Sequence, residues 1–242
     1  MACLSTTITA EIDRLLAEVD MVREYRAYRW KADSWMNGFP EICNLEGSLS
    51  SAARENRLGY FHARNLAIWG GLPNPLGIRC QEPLNLALYT GGKPSPWLRD
   101  NADNVMRMLE SQIRGFGPTY CSKMLRFSVP SVFGAIDTRL VRVFGSGDPG
   151  AQEYQLLDLQ VTRSDPRWAI PSHQESWPME YGTWTAIPHR MAGTLNEGSI
   201  ACPHPMTLSA ANLREQEYGC RPTWKWRCLL MPRQESEKGN RV

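Results

Sequence analysis

With 242 residues and a net charge of +2, the chain can bury a substantial core and is too evenly charged for a disordered polyelectrolyte. An apolar content of 42% against 21% charged residues describes an ordinary folded protein, and no apolar run approaches bilayer length. Seven cysteines without a CxxC pair speak against a zinc site or a disulfide framework, and no basic-then-apolar leader opens the sequence, so a cytoplasmic protein with free thiols is expected.

In chain order, residues 9–30 read as one amphipathic helix: Thr9 is a plausible cap, and Ile12, Leu15, Leu16 and Val19 recur at helical spacing. A second helix is expected over Ser50–Trp69, closed by Gly70-Gly71, and the Pro- and Gly-rich stretch LPNPLGIRCQEP reads as a loop. After a short apolar segment, Val105, Met108, Leu109 and Ile113 mark a helix over Asn101–Arg114 that Gly115 ends. Pro118 suits the first position of the next helix, where its missing N–H costs nothing. Cys121, Met124 and Leu125 form that helix's buried face, and Val129-Pro130 stops it. Phe133–Ile136 reads as an extended link, and Asp137 opens a helix carrying Leu140, Val141, Val143 and Phe144. Residues 146–180 look loop-rich, a helix over Trp184–Leu195 is interrupted by Pro188, and a further helix is expected over 207–218. Strand patterns are scarce and repeats absent. The fold class is therefore mostly α, organised as a single domain over 1–231, with a central unit at about 100–145, helices of both termini closing on it, and a polar tail over 232–242.

Positive charge concentrates in this central unit. Residues 105–145 carry Arg107, Arg114, Lys123, Arg126, Arg139 and Arg142 against Glu110 and Asp137, so the rest of the chain is net acidic. A local basic region suits nucleic acid, although a solvated helical face gives the same pattern. Only five of the 27 basic residues are lysines, and the arginine guanidinium fork suits phosphate. Between the two central helices lies Gly115-Phe116-Gly117-Pro118-Thr119. Its glycines permit a tight turn and let a phosphate approach the main chain, and the second helix offers unsatisfied N–H groups. Taken alone, the turn is also an ordinary helix ending.

The combination of this turn with Asp137 resembles the helix-hairpin-helix DNA glycosylase superfamily, which pairs a Gly-x-Gly hairpin with an aspartate one helix and a loop later. The segments GFGPTYCSKMLRF and AIDTRLVRVFG are most similar to the bacterial 8-oxoguanine-glycosylase-like branch, and WPMEYGTW at 177–184 echoes it. The resemblance implies two helical subdomains flanking a DNA-binding cleft, with Gly115, Phe116, Gly117, Pro118, Thr119, Arg139 and Arg142 on the DNA. It also implies that Asp137 stabilises the oxocarbenium-like state of glycosidic cleavage and activates water. The plain alternative for Asp137 is a helix cap.

Bifunctional members attack the sugar with a lysine two residues after the second glycine. Here that position is Thr119, so a monofunctional enzyme leaving an abasic site is expected. Lys123 lies one helical turn further on the same face, which keeps a bifunctional glycosylase/lyase open as the alternative. Cys202, Cys220 and Cys228 do not match the four-cysteine cluster of iron–sulfur members, so no metal and no cofactor are expected. Trp35, Trp69, Trp177, Tyr181 and Trp184 are the candidates for a base pocket, since aromatic faces stack on an extruded base; for any single one a half-buried core position is the commoner role. The partner implied is double-stranded DNA carrying a modified base, read by a monomer that needs no membrane. Its substrate is an oxidised purine in repair, or a hypermodified base of phage DNA, for whose sugar His62, Arg64, Asn65, His173 and Glu175 supply polar candidates. A hairpin module that binds DNA without chemistry is the other reading, whereas no triad or nucleophile-elbow spacing supports a Ser or Cys hydrolase.

Overall fold

A computed structural model describes residues 4–165 and 167–200. The expected helix over 207–218, the polar tail, and Cys202, Cys220 and Cys228 lie outside the described residues. The architecture is mostly α-helical.

Where one long first helix was expected, there are two. Helix α1 spans Thr6–Glu18 and α2 spans Met21–Ala27. Ser5, not Thr9, caps α1 by accepting from Ile8 N, and Val19 leaves the helix into extended backbone. Asp20 then accepts from Arg23 N and starts α2. Beyond α2 the chain forms a two-residue antiparallel pair, β1 (Arg29–Trp30) with β2 (Asp33–Ser34), which turns at Lys31. The buried Asp33 carboxylate accepts from the amides of Glu41 and Ile42, so it caps the next helix from outside its own chain start.

The helix expected over Ser50–Trp69 is likewise two helices, α3 (Pro40–Arg54) and α4 (Tyr60–Gly70). They part where Asn56 takes a left-handed conformation and Gly59 precedes α4. Gly71 closes α4 in the left-handed conformation, as the paired glycines predict. The Pro/Gly loop holds a 3-10 turn at Pro75–Gly77 and strand β3 (Arg79–Cys80). A small hairpin of β4 (Tyr89–Thr90) and β5 (Lys93–Pro94) turns on Gly91-Gly92.

Helix α5 covers Ala102–Gln112; the last two residues expected in it, Ile113 and Arg114, instead form β6, paired antiparallel with β3. Helix α6 runs Pro118–Ser128 and α7 runs Thr138–Phe144. The described residues of 146–178 are irregular apart from the hairpin of β7 (Thr162–Ser164) and β8 (Arg167–Ala169). Helix α8, Met179–Glu197, passes through Pro188, so the proline does not interrupt it. Its apolar packing (Tyr181, Trp184, Ile187, Met191 and Leu195 are all buried) outweighs the one hydrogen bond proline removes.

One apolar core joins all the helices, from Ile12 in α1 to Leu195 in α8. Helix α6 lies at its centre, against α3, α4 and α5. Both charged residues of its second half are buried, contrary to an amphipathic reading. Arg126 is 2% exposed and pairs with Glu46 of α3 at 2.9 Å, while Lys123 has no ion-pair partner among the described residues and faces a pocket.

Candidate active site

The hairpin is fixed from below. The β3–β6 pair delivers the chain to Gly115, which has φ +92°, a conformation only glycine adopts without strain. Phe116 turns inward and tilts against Tyr120 at 5.4 Å. Gly117 caps α6, and a Cβ placed there would meet nothing within 4 Å. Among the described residues, the amides of Phe116 and Gly117 donate to no protein acceptor. The bend thus leaves unpaired donors open to solvent at a helix start, the arrangement that suits an anionic oxygen. Pro118 is buried in the first turn and Thr119 is half-buried.

Asp137 caps α7, its Oδ1 accepting from Arg139 N and Leu140 N, both at 3.0 Å. The link before it is pinned by three side chains. Ser122 Oγ accepts from Ile136 N and faces Ile136 O, each at 3.0 Å. Tyr181 donates its hydroxyl to Gly134 O at 3.0 Å, and Trp184 Nε1 donates to Ala135 O at 2.9 Å. The carboxylate therefore sits on a rigid support.

The two expected catalytic side chains share one pocket. It is lined by Lys123, Asp137, Arg139, Leu140 and Ala135 from the hairpin side, and by Tyr28, Trp30 and Trp69 opposite. Lys123 is only 9% exposed, and its Nζ lies 5.5–5.6 Å from the ring centroids of Trp30, Trp69 and Tyr120. Burial holds its ammonium below the usual lysine range, the Asp137 charge partly opposes this, and the positive charges of Arg139 and Lys31 add to the lowering. Cation–π contact with three rings offsets part of the desolvation, at about 0.5–2 kcal/mol each. Burial also raises the neighbouring Tyr120 hydroxyl to about 12, so it stays a neutral phenol.

Other expected site residues lie elsewhere. Trp177, Tyr181 and Trp184 are core residues, not pocket walls. Trp177 Nε1 donates to Glu110 at 2.9 Å, and Tyr181 and Trp184 brace the 133–136 link. Trp35 lies under the Arg26 guanidinium and does not line the pocket; of the five aromatic candidates only Trp69 does. Arg139 lines the pocket, but Arg142 is held at 2.5 Å by Asp148 and covers the Trp168 ring at 4.9 Å. None of His62, Arg64, Asn65, His173 and Glu175 reaches the pocket lining. Among the described residues no His, Cys, Asp or Glu cluster suited to a metal forms.

Sequence reading missed Tyr28 and Trp30, because residues 9–30 read as continuous helix. The signal was present: Asp20 follows Val19 as a cap, and Lys31-Ala-Asp-Ser supplies turn chemistry after Trp30. It also missed Leu76, which stands 63% exposed on the Pro75–Gly77 turn. That turn is tightened by Gly77 N donating to Asn74 Oδ1, and its Gly77 carbonyl lies against Gly115. An apolar side chain is thus held in solvent beside the hairpin. Comparison of the chain with protein-family models, curated proteins and solved structures found no match.

Proposed function

We propose that the chain is a DNA glycosylase that takes a modified nucleotide into the Trp30–Trp69 pocket and cleaves its glycosidic bond. The observation that carries this reading is one pocket holding a desolvated amine, Lys123, and a cap-fixed carboxylate, Asp137, next to a hairpin with open amides. The amides and the adjacent Arg139 hold the strand without reading sequence. Leu76, on the flank of the hairpin, fills the space that the extruded base leaves in the stack.

Burial of Lys123 favours the covalent route over direct attack by water. The neutral amine bonds to C1′ as the bond from C1′ to the base nitrogen breaks; that electron pair leaves with the base, which takes up a proton. Asp137 stabilises the positive charge that builds on the sugar. The C1′–O4′ bond then breaks, O4′ keeping the electron pair and taking the remaining N–H proton as the nitrogen lone pair closes an imine, which water hydrolyses to an abasic sugar and free Lys123.

Borohydride trapping tests this on a duplex carrying a single abasic site, which needs no knowledge of the base. The expected result is a covalent protein–DNA adduct that Lys123→Gln abolishes. If the wild-type chain excises no base and forms no adduct, the reading fails. Base excision without an adduct assigns the attack to water activated by Asp137.

A further inference from the structure

The walls of the pocket carry a chemical bias that bears on its substrate. Trp30 and Trp69 pack against each other at 5.7 Å, and the indole Nε1 of each is buried without a hydrogen-bond partner among the described residues. Native proteins rarely leave a buried N–H unpaired, so two on residues that line one pocket call for an acceptor that the described residues do not supply. The aromatic faces around them are weak acceptors at best. An indole N–H only donates, as does the Arg139 guanidinium. The Ala135 carbonyl is already used by Trp184. Apart from Lys123 and Asp137, which the reaction occupies, and the Tyr28 hydroxyl, which both donates and accepts, the polar side chains of the lining are donors.

Resting on the reading above that a nucleotide base enters this pocket, we infer that the pocket selects a deaminated base, whose open edge presents a carbonyl oxygen where the parent base presents an amino group. Such a base separates Trp30 from Trp69, stacks on an indole face and accepts from the freed N–H groups. A base with an exocyclic amino group brings a donor to donors. At that position the amino group offers the indoles no lone pair, and the neighbouring ring nitrogen accepts from one N–H at most, whereas a carbonyl oxygen accepts from two.

Binding tests this separately from the chemistry. Duplexes carry one 2′-fluoroarabino nucleotide, which resists cleavage, opposite a tetrahydrofuran spacer so that no base pair holds it. The base is hypoxanthine or adenine in one pair, and uracil or cytosine in the other. The carbonyl member of each pair is expected to bind about tenfold more tightly, the size of one hydrogen bond gained. Trp69→Phe and Trp30→Phe, which keep a ring and remove the donor, are expected to erase that preference in the same binding assay. Equal binding within both pairs, or preference for the amino member, overturns the inference, and that comparison on the wild-type chain stands even if a variant misfolds. Absence of trapping alone sinks the covalent chemistry, not the selection.

Discussion

Ser122 and Ile136 hold each other across the active site: the Ile136 amide donates to Ser122 Oγ at 3.0 Å, and that oxygen lies 3.0 Å from the Ile136 carbonyl. Each immediately precedes a proposed catalytic residue, Lys123 or Asp137. The distance between amine and carboxylate is thus set by a buried clasp one residue behind both. Replacing Ser122 by Ala leaves the Ile136 amide buried and unpaired, at a cost of about 1–3 kcal/mol in denaturant unfolding. The trapping rate is expected to fall with it, whereas loss of stability at an unchanged trapping rate assigns Ser122 to folding alone.

Asp137 has two jobs that substitution separates. Asn keeps the side-chain oxygen that caps α7, so Asp137→Asn is expected to unfold within a few tenths of a kcal/mol of wild type while excision is lost. Asp137→Ala loses the cap as well, about 0.5–2 kcal/mol. Equal activity in the Asn variant and wild type removes the carboxylate from the mechanism.

Lys123 links function to pH. Burial holds the folded amine below the usual lysine range, so the unfolded chain binds the proton more tightly. Between the folded and unfolded values, stability therefore rises with pH, and below the folded value the burial penalty applies in full. Lys123→Met removes this slope, with stability at neutral pH equal to or above wild type and trapping abolished. In the wild type, trapping should rise with pH through a midpoint below that of free lysine.

The two hairpin glycines should respond differently. Gly115→Ala forces a side chain into φ +92° and is expected to destabilise by about 1–2 kcal/mol. Gly117→Val meets open space on the protein side and should fold normally, but it places its methyls where a phosphate would dock. Its DNA affinity is expected to drop across all sequences, read as a weaker binding isotherm at fixed salt.

Leu76→Ala should leave stability within about 0.5 kcal/mol, because the side chain is mostly solvated. Base excision from duplex DNA is expected to slow while trapping at an abasic site, where no base need be displaced, stays near wild type. Equal losses on both substrates place Leu76 outside base extrusion.

Local chemistry alone made the centre of the molecule readable. Gly115 turns the chain, Pro118 starts a helix and Asp137 caps another because each acts through its own backbone geometry, which neighbours in sequence suffice to fix, whereas the end of α5 falls at Gln112 and not at Gly115. The breaks at Val19 and at residues 55–59 were also written locally, in Asp20 and Gly59, but apolar periodicity running across them masked the stops. What the sequence could not supply is which side chains face the pocket. Lys123 read as a candidate catalytic group and Arg126 only as one of the local positive charges, but neither burial was legible: α3 gives Arg126 a partner in Glu46, while α4 and β1 surround Lys123 with indoles. Trp69 and Trp184 are the same residue type, and one lines the pocket while the other braces the link behind it. Turns and caps depend on dihedral angles that a few adjacent residues set, whereas burial, unpaired donors and a displaced lysine titration arise only when distant segments close around a point.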